Sequence, residues 1–333
     1  MSKEKYIKFC KFEKDIPIFS CNWWLDAVCG EDNWDVELFE KGGEIFASMP
    51  YYKIRKARFN LLIMPKLTQT LGIYIKYPKS QKYYKKLSWE KKAMSMIINK
   101  LPKVDYFSQN FHHSIGNWLP FYWAGYEQTT RYSYLIDATA GGVMDLVEDG
   151  FENDIRRRIK KTISSGVEVF EGEDIGLFYE LNKMTFARKS VDMPYSFEFI
   201  GNLYKKCKEN NAVKMFFAKD KNGAILAASF LVHDKNVVYY LMGGINPAKK
   251  ELGAMDLVLF ESIKFAMQSK RAFDFEGSMI ESIEKYFRAF GAIQKPYYSI
   301  SKINSKLLKV SIPLLNKKTL GASVTNLVKK ILK

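Results

Sequence analysis

The run Phe273-Asp274-Phe275-Glu276-Gly277 sets two acids between two aromatics and a glycine. Successive side chains of a strand point to opposite faces, so Phe273 and Phe275 take one face and Asp274 and Glu276 the other. A carboxyl at the exit of an apolar strand is poorly hydrated, which raises its pKa. In that state it suits general-base work on an amine, directly or through water. Arg288 lies beyond them and offers a cation for a carbonyl or phosphate oxygen. The same residues have a plainer reading. The two acids also fit the solvated side of a packing unit. Glu284 stands four residues before Arg288, an exposed pair worth about 0.3–0.5 kcal/mol.

A second constellation precedes this one. Tyr239-Tyr240-Leu241-Met242 ends on Gly243 and Gly244, a loop carries Lys249 and Lys250, and Gly253-Ala254 opens a long apolar run. Glycines at a strand exit ahead of a helix N-terminus expose backbone N–H groups, and the helix dipole adds positive potential. Gly253 and Ala254 permit close backbone approach. Such a place binds a pyrophosphate, as in coenzyme A; an ordinary loop and helix cap would look the same. The corresponding join in the first half, Lys76 to Ser88, has no glycine. That half is read as shaping an acceptor site. Arg156 and Arg158 on a very basic segment, with Tyr240 and Tyr286, are assigned to substrate. A solvated helix face and core aromatics are the alternatives.

The elements that must position these groups follow from periodicity and turn chemistry. Residues 18–29 read as a short amphipathic helix, and 34–49 as two strands about Gly42-Gly43. A basic loop over 53–58 precedes an extended run at 71–77, a helix over 83–100, and strands at 104–111 and 132–136. The second half reads as a basic helix over 151–165, a strand at 167–170, helices over 174–189 and 196–210, and a hairpin about Asn222-Gly223. A third strand at 237–242 is interrupted by Gly243-Gly244. A helix runs from Gly253 to about Ser269. After the acidic strand, Ser278 and Glu281 form a capping box, Gly291 ends that helix, and a last strand reaches Tyr298.

Bulk properties bound the remaining options. The 333 residues give length for two cores. A hydrophobic content of 47% argues against disorder. The net charge of +16 is concentrated: residues 53–103 hold fourteen Lys or Arg against Glu90 alone, and 302–333 hold eight Lys and no acid. Such patches favour nucleotides, nucleic acid or anionic lipid. Three histidines, and four cysteines without paired spacing, point away from a metal site or a histidine triad. The absence of a signal peptide or a spanning apolar run predicts a cytoplasmic protein. The tail, 305–333, alternates apolar residues with lysines. It suits the inner face of an anionic membrane, and equally a helix packed on the second domain.

Element order and residues together resemble a known superfamily. Lys250-Glu-Leu-Gly253-Ala254-Met255 is similar to the basic-x-x-Gly-x-Gly/Ala phosphate loop of GNAT N-acyltransferases, with Met255 at the last small position. Asp274-Phe-Glu-Gly277, Phe287-Arg-Ala-Phe-Gly291 and the spacing from Arg158 to Gly166-Val167 resemble motifs of the Fem-type aminoacyltransferases and BioF2-like relatives. Arg288 stands where that family has lysine. The resemblance covers most of residues 15–300. It implies an α/β (α+β) fold of two tandem GNAT-like units, each a mixed, mostly antiparallel sheet flanked by helices. The units are placed at 1–140 and 141–303, with a tail from 304. The expected function is N-acyl transfer from acyl-CoA, a co-substrate rather than a tightly bound cofactor, to an amine in cell-envelope or polysaccharide biosynthesis. The acceptor is expected in a cleft between units. Aminoacyl transfer from tRNA to a cell-wall precursor is the alternative donor chemistry. A non-catalytic membrane or nucleic-acid binder is the third reading.

Overall fold

Strands built from alternating residues bury one face each. In Trp34–Lys41, Trp34, Val36 and Leu38 are buried while Asp35 and Glu37 are half-exposed. The computed structural model describes residues 2–137, 144–188 and 190–309, with the side chains of all but 144–146 and 250–252. The tail expected to be amphipathic lies outside the described residues from 310 on.

The elements of the first unit are α1 (Ser2–Phe12), α2 (Asn22–Cys29), β1 (Trp34–Lys41), β2 (Glu44–Lys56), β3 (Phe59–Ile63), β4 (Tyr74–Ile75), α3 (Tyr83–Lys100), β5 (Tyr106–Asn110) and α4 (Leu119–Trp123). Strand β6 (Glu127–Ile136) leads into the second unit. There follow α5 (Met144–Asp149), α6 (Asn153–Ser164), β7 (Glu168–Glu171), α7 (Ile175–Arg188), α8 (Phe197–Glu209), β8 (Val213–Lys219), β9 (Ile225–His233), β10 (Val237–Ile245), α9 (Ala254–Gln268), β11 (Ala272–Asp274) and α10 (Glu281–Arg288). Strand β12 (Ile293–Ile303) leads back. Contacts divide the chain at 131/132 and 295/296, where the boundaries expected from sequence stood at 140/141 and 303/304. Strand pairing, rather than chain order, sets the division.

In the first unit the order is β1-β2-β3-β5-β12, with β4 on β2. β3 and β5 run parallel through the crossover helix α3, and Ser299–Ile303 pairs antiparallel with β5. The segment 53–58, expected as a basic loop, instead belongs to β2 and a second hairpin that turns at Ala57, φ 51°. Its core joins Phe39, Met49, Leu62, Met94, Ile97 and Phe107. Helices α1 and α4 were not legible from pattern: α1 is mostly polar and exposed, and α4 is five residues long.

The second unit repeats the crossover with different local chemistry. Its order is β6-β11-β10-β9-β8-β7, all antiparallel neighbours except the parallel pair β10 and β11. The connecting helix α9 is apolar nearly all round, and Leu257, Val258, Leu259, Ile263, Ala266 and Met267 are buried. Such a helix belongs inside a protein rather than on its surface. The turn at Asn222-Gly223 forms as expected, with Asp220 Oδ1 accepting from the N–H groups of Asn222 and Ala224. Two local readings change. β10 continues through Gly243 and Gly244, paired with Ser229 and Ala228, and its irregularity is a bulge between Tyr240 and Met242. The capping box does not form. α10 starts at Glu281 after Ile280, and Ser278 Oγ accepts from the Ile280 N–H. The chain first spends Glu276 (φ 59°) and Gly277 (φ 61°) in a left-handed turn, which delays the helix.

Glycine positions give a paired stability prediction. Gly291 has φ 72°, and a Cβ there would lie 2.6 Å from Gly150 O. Gly201 lies inside α8 with open space beside it. Gly291→Ala should lower the thermal midpoint by several degrees, since left-handed backbone alone costs an alanine about 1–2 kcal/mol. Gly201→Ala should raise it, by about 0.5–1 kcal/mol of stability. Calorimetry on both variants decides the matter, and a stable Gly291→Ala would refute the described turn.

Candidate active site

Strand β11 is short, and it is fixed at both faces. Phe273 and Phe275 are fully buried, their rings 4.9 Å apart, and Phe275 stacks on Phe287 of α10 at 4.8 Å. Burying such a ring contributes about 1.5–3 kcal/mol. Asp274 points the other way into a polar nook. Its Oδ1 accepts from the Ser133 hydroxyl on β6 and from the Glu276 backbone N–H at 2.7 Å. This Asx-type bond folds the chain back at once. Glu276 therefore takes positive φ, a conformation that costs a non-glycine residue about 1–3 kcal/mol and clusters at functional sites. Gly277 follows because a Cβ there would overlap Tyr132 O.

The two carboxyls titrate high. Burial pushes Asp274 up to about 6, opposed by its hydrogen bonds from Ser133 and Glu276. Burial raises Glu276 well above the usual carboxylate range, and the charge of Asp274 adds to it.

β10 and β11 share only three register pairs, ending at Tyr239 with Asp274. Past that point the bulge turns β10 away. Farther along, α7 takes over its backbone: Asn182 Nδ2 donates to Gly243 O at 2.7 Å, and Ile245 N–H donates to Thr185 Oγ1 at 3.0 Å. Asn182 is held in turn by the Tyr195 hydroxyl at 2.8 Å. A Cβ on Gly244 would lie 2.7 Å from Asn182 N and Leu181 Cβ. Gly243 lies under Tyr240, whose hydroxyl would overlap a Cβ there. Both glycines thus serve close packing around this part of β10.

The start of α9 is gripped by three side chains. Asp256 is nearly buried; its Oδ2 accepts from Arg158 Nε at 2.6 Å and its Oδ1 from the Tyr286 hydroxyl at 2.6 Å. Gly253, at φ 66°, precedes the helix with no side-chain cap, and a Cβ on it would lie 2.7 Å from Thr162 Oγ1 of α6. The Tyr240 hydroxyl faces Met255 Sδ at 3.7 Å, and burial raises its pKa, which keeps the phenol protonated. Tyr240 also meets Phe287 edge-on at 6.2 Å. Side-chain contacts therefore run from Met255 and Asp256 through Tyr240, Tyr286 and Phe287 to Phe275, between the two acids.

The remaining residues singled out from sequence sit as follows. Arg158 and Tyr286 meet on Asp256. Ala254 is buried as the first residue of α9. Lys249 Nζ is 3.6 Å from Asp220 on the β8–β9 turn; the Lys250 side chain lies outside the described residues. Arg288 pairs with Glu284 at 3.0 Å and Glu152 at 3.8 Å and is half-exposed. Arg156 pairs with Asp149 at 3.7 Å. Pattern reading missed Asp256, Asn182, Thr185 and Ser133. Asp256 carried a signal, as the one acid in the apolar run Ala254–Phe260. The other three are ordinary polar residues whose partners are distant in sequence.

Comparison with known proteins bears on the domain and the fold. Residues 150–287 match the family model described as an acetyltransferase (GNAT) domain. No curated protein sequence gives a match. Among solved structures, FemX superposes with a TM-score of 0.66 at 12% identity, covering 90% of this chain and 96% of that one. L-PGS from Bacillus licheniformis gives 0.54 at 11%, covering 96% and 97%. A conserved protein from Bacteroides thetaiotaomicron gives 0.54 at 13%, covering 90% and 97%. At these identities the structures speak for the fold, and the family model for the domain. The second unit thus carries the acetyltransferase (GNAT) domain match, in a chain whose fold is similar to that of FemX.

Proposed function

We propose that the second unit transfers an acyl group from a coenzyme A thioester to an amine, with Glu276 as the base. The observation that carries this reading is the parting of β10 and β11 after three register pairs, with the uncapped start of α9 following one strand and Glu276 following the other. The pyrophosphate would rest on backbone N–H groups at Gly253–Met255, with Lys249 and Lys250 supplying charge. Gly243 and Gly244 keep this end of β10 slim enough for α7 and Tyr240 to close on it. The amine nitrogen attacks the thioester carbon, negative charge gathers on the carbonyl oxygen, and the carbon–sulfur bond breaks. Backbone N–H groups of the bulged stretch Tyr240–Met242 would receive that oxygen. Glu276 takes the amine proton, and the protonated Tyr240 can return one to the departing thiolate.

Asp274 is assigned a positioning role, since its Oδ1 is occupied by Ser133 and by the Glu276 backbone. Arg158 and Tyr286 are assigned through Asp256 to the placement of the α9 N-terminus. Arg156 and Arg288 would reach an anionic acceptor by exchanging their exposed carboxylate partners. An amine of a cell-envelope precursor is the acceptor class favoured by the likeness to FemX. Aminoacyl-tRNA is the second donor reading, supported by the exposed Arg157, Lys160 and Lys161 on α6. A tRNA complex should weaken steeply with salt, and an acyl-CoA complex far less.

Three measurements test this. Saturating acetyl-CoA should raise the thermal midpoint; at a hundred times Kd the gain is about 2.7 kcal/mol. No shift, with no protection of residues 243–256 from hydrogen exchange, sinks the thioester reading. Glu276→Gln should lower the single-turnover rate about 10²–10⁴-fold, whereas Arg158→Ala should mainly raise the KM for the donor.

The third measurement is pH dependence. The rate should climb with pH as Glu276 loses its proton, with its midpoint displaced upward from ordinary glutamate. Asp274→Asn keeps an Oδ1 for both hydrogen bonds but removes one cause of that displacement, so the limb should move to lower pH. Stability should vary with pH as well. The Asp274 carboxyl stabilises the fold below its unfolded value near 4, and that contribution is lost as pH rises through about 6. Asp274→Asn should therefore match or exceed the wild-type midpoint at pH 8. A limb that stays in place rejects the coupling of the two acids.

A further inference from the structure

The first unit carries a surface that the transfer chemistry leaves unused. Helices α3 and α4 flank a cleft of about 500 Å³ whose lining includes Tyr83, Leu87, Lys91, Trp118, Leu119 and Trp123. Its aromatic rim is turned outward: Tyr83 is 75% exposed, and Tyr122 and Trp123 are each 59% exposed. Pro120 and Phe121 are buried beneath them and fix the short α4 on the unit, so these rings are presented rather than loose. Large apolar side chains grouped on a surface mark a place that something covers.

The charge around this rim has one sign. Residues 76–92 contain seven lysines and one acid, Glu90, and residues 111–126 contain no acid. Glu90 is buried. It accepts from the Tyr77 hydroxyl and from Asn117 Nδ2, each at 2.9 Å, and so does not offset the outer face. Lys82, Lys85, Lys86 and Lys91 are exposed. The Lys91 ammonium lies 5.2 Å from the centre of the Trp123 ring and that of Lys86 4.7 Å from the Tyr77 ring, so cations and rings share one level. Tyr and Trp beside Lys is the composition of a protein surface at a lipid headgroup layer, where rings enter the interface and ammonium groups meet anionic lipid. Among the described residues no helix is long and apolar enough to cross a membrane, so the contact would be peripheral.

We infer that the α3–α4 face of the first unit docks on an anionic lipid bilayer, its aromatic side chains in the headgroup layer and its lysines on the anionic lipids. The inference rests on this face alone and stands apart from the reaction assigned to the second unit.

The test is co-sedimentation of the full chain with phosphatidylcholine vesicles that contain or lack phosphatidylglycerol. Binding should require phosphatidylglycerol and weaken as salt rises. The variant K85E/K86E/K91E should bind on the order of a hundredfold more weakly, at about fivefold per lysine. Tyr122→Ser with Trp123→Ser should weaken binding about tenfold or more through lost interfacial burial. Both variants alter exposed side chains, so their thermal midpoints and their acyl transfer to a soluble amine should match the wild type. Equal binding of wild type and variants overturns the inference and moves the contact elsewhere, including to residues 305–333. Absence of binding, or equal binding to neutral vesicles, also overturns it. If the variants lose affinity for tRNA but not for vesicles, the face serves nucleic acid and the inference fails.

Discussion

Parallel strands need a crossover, and in the second unit that crossover is the apolar helix α9, packed against the sheet. Its burial draws β10 and β11 together, yet the two pair for only three residues. The bulge between Tyr240 and Met242 sends one strand away, and the hydrogen bond from the Glu276 N–H to Asp274 turns the other. The rest of the candidate site depends on this early separation. It leaves β10 beyond Tyr239 without register pairs to β11, a helix N-terminus after one strand and a poorly hydrated carboxyl after the other. The first unit makes the same crossover through α3, but without the glycine-bearing helix start.

Electrostatics reinforces the division of roles. Asp274 and Glu276 are two residues apart in sequence, but their surroundings differ. Asp274 receives two hydrogen bonds, which hold its pKa to about 6 in spite of burial. Glu276 feels burial and the neighbouring negative charge together. Asp274 is thus held nearer the ordinary carboxylate range than Glu276. Around α9, Asp256 lies in the first turn and pairs with Arg158.

The parts of this arrangement legible in sequence were those fixed by neighbours along the chain. The Gly42-Gly43 and Asn222-Gly223 turns and the apolar period of α9 follow from local rules, and each forms; the alternation expected from Phe273 to Glu276 holds only as far as Phe275, because Glu276 turns at φ 59°. Readings that rested on one residue type standing for one role fared less well. Gly243 and Gly244 looked like a strand end, yet they lie inside β10, where Leu181, Asn182 and the Tyr240 hydroxyl need the space. Ser278 and Glu281 matched a capping box, but the left-handed pair Glu276-Gly277 delays the helix to Glu281, and Ser278 Oγ accepts from the Ile280 N–H instead. Asp256 stood out only as the one acid in an apolar run; its partners, Arg158 and Tyr286, are far away in the chain, so their meeting on it was not legible.

Asn182 and Thr185 make a further point about how the unit is assembled. They satisfy Gly243 O and Ile245 N–H from a helix some sixty residues earlier in the chain. A strand edge completed by a neighbouring strand can form as the sheet grows. This one is completed by α7, and contacts of such sequence separation slow folding in general. The far half of β10 is therefore completed by β9 on one edge and, through contacts of high sequence separation, by α7.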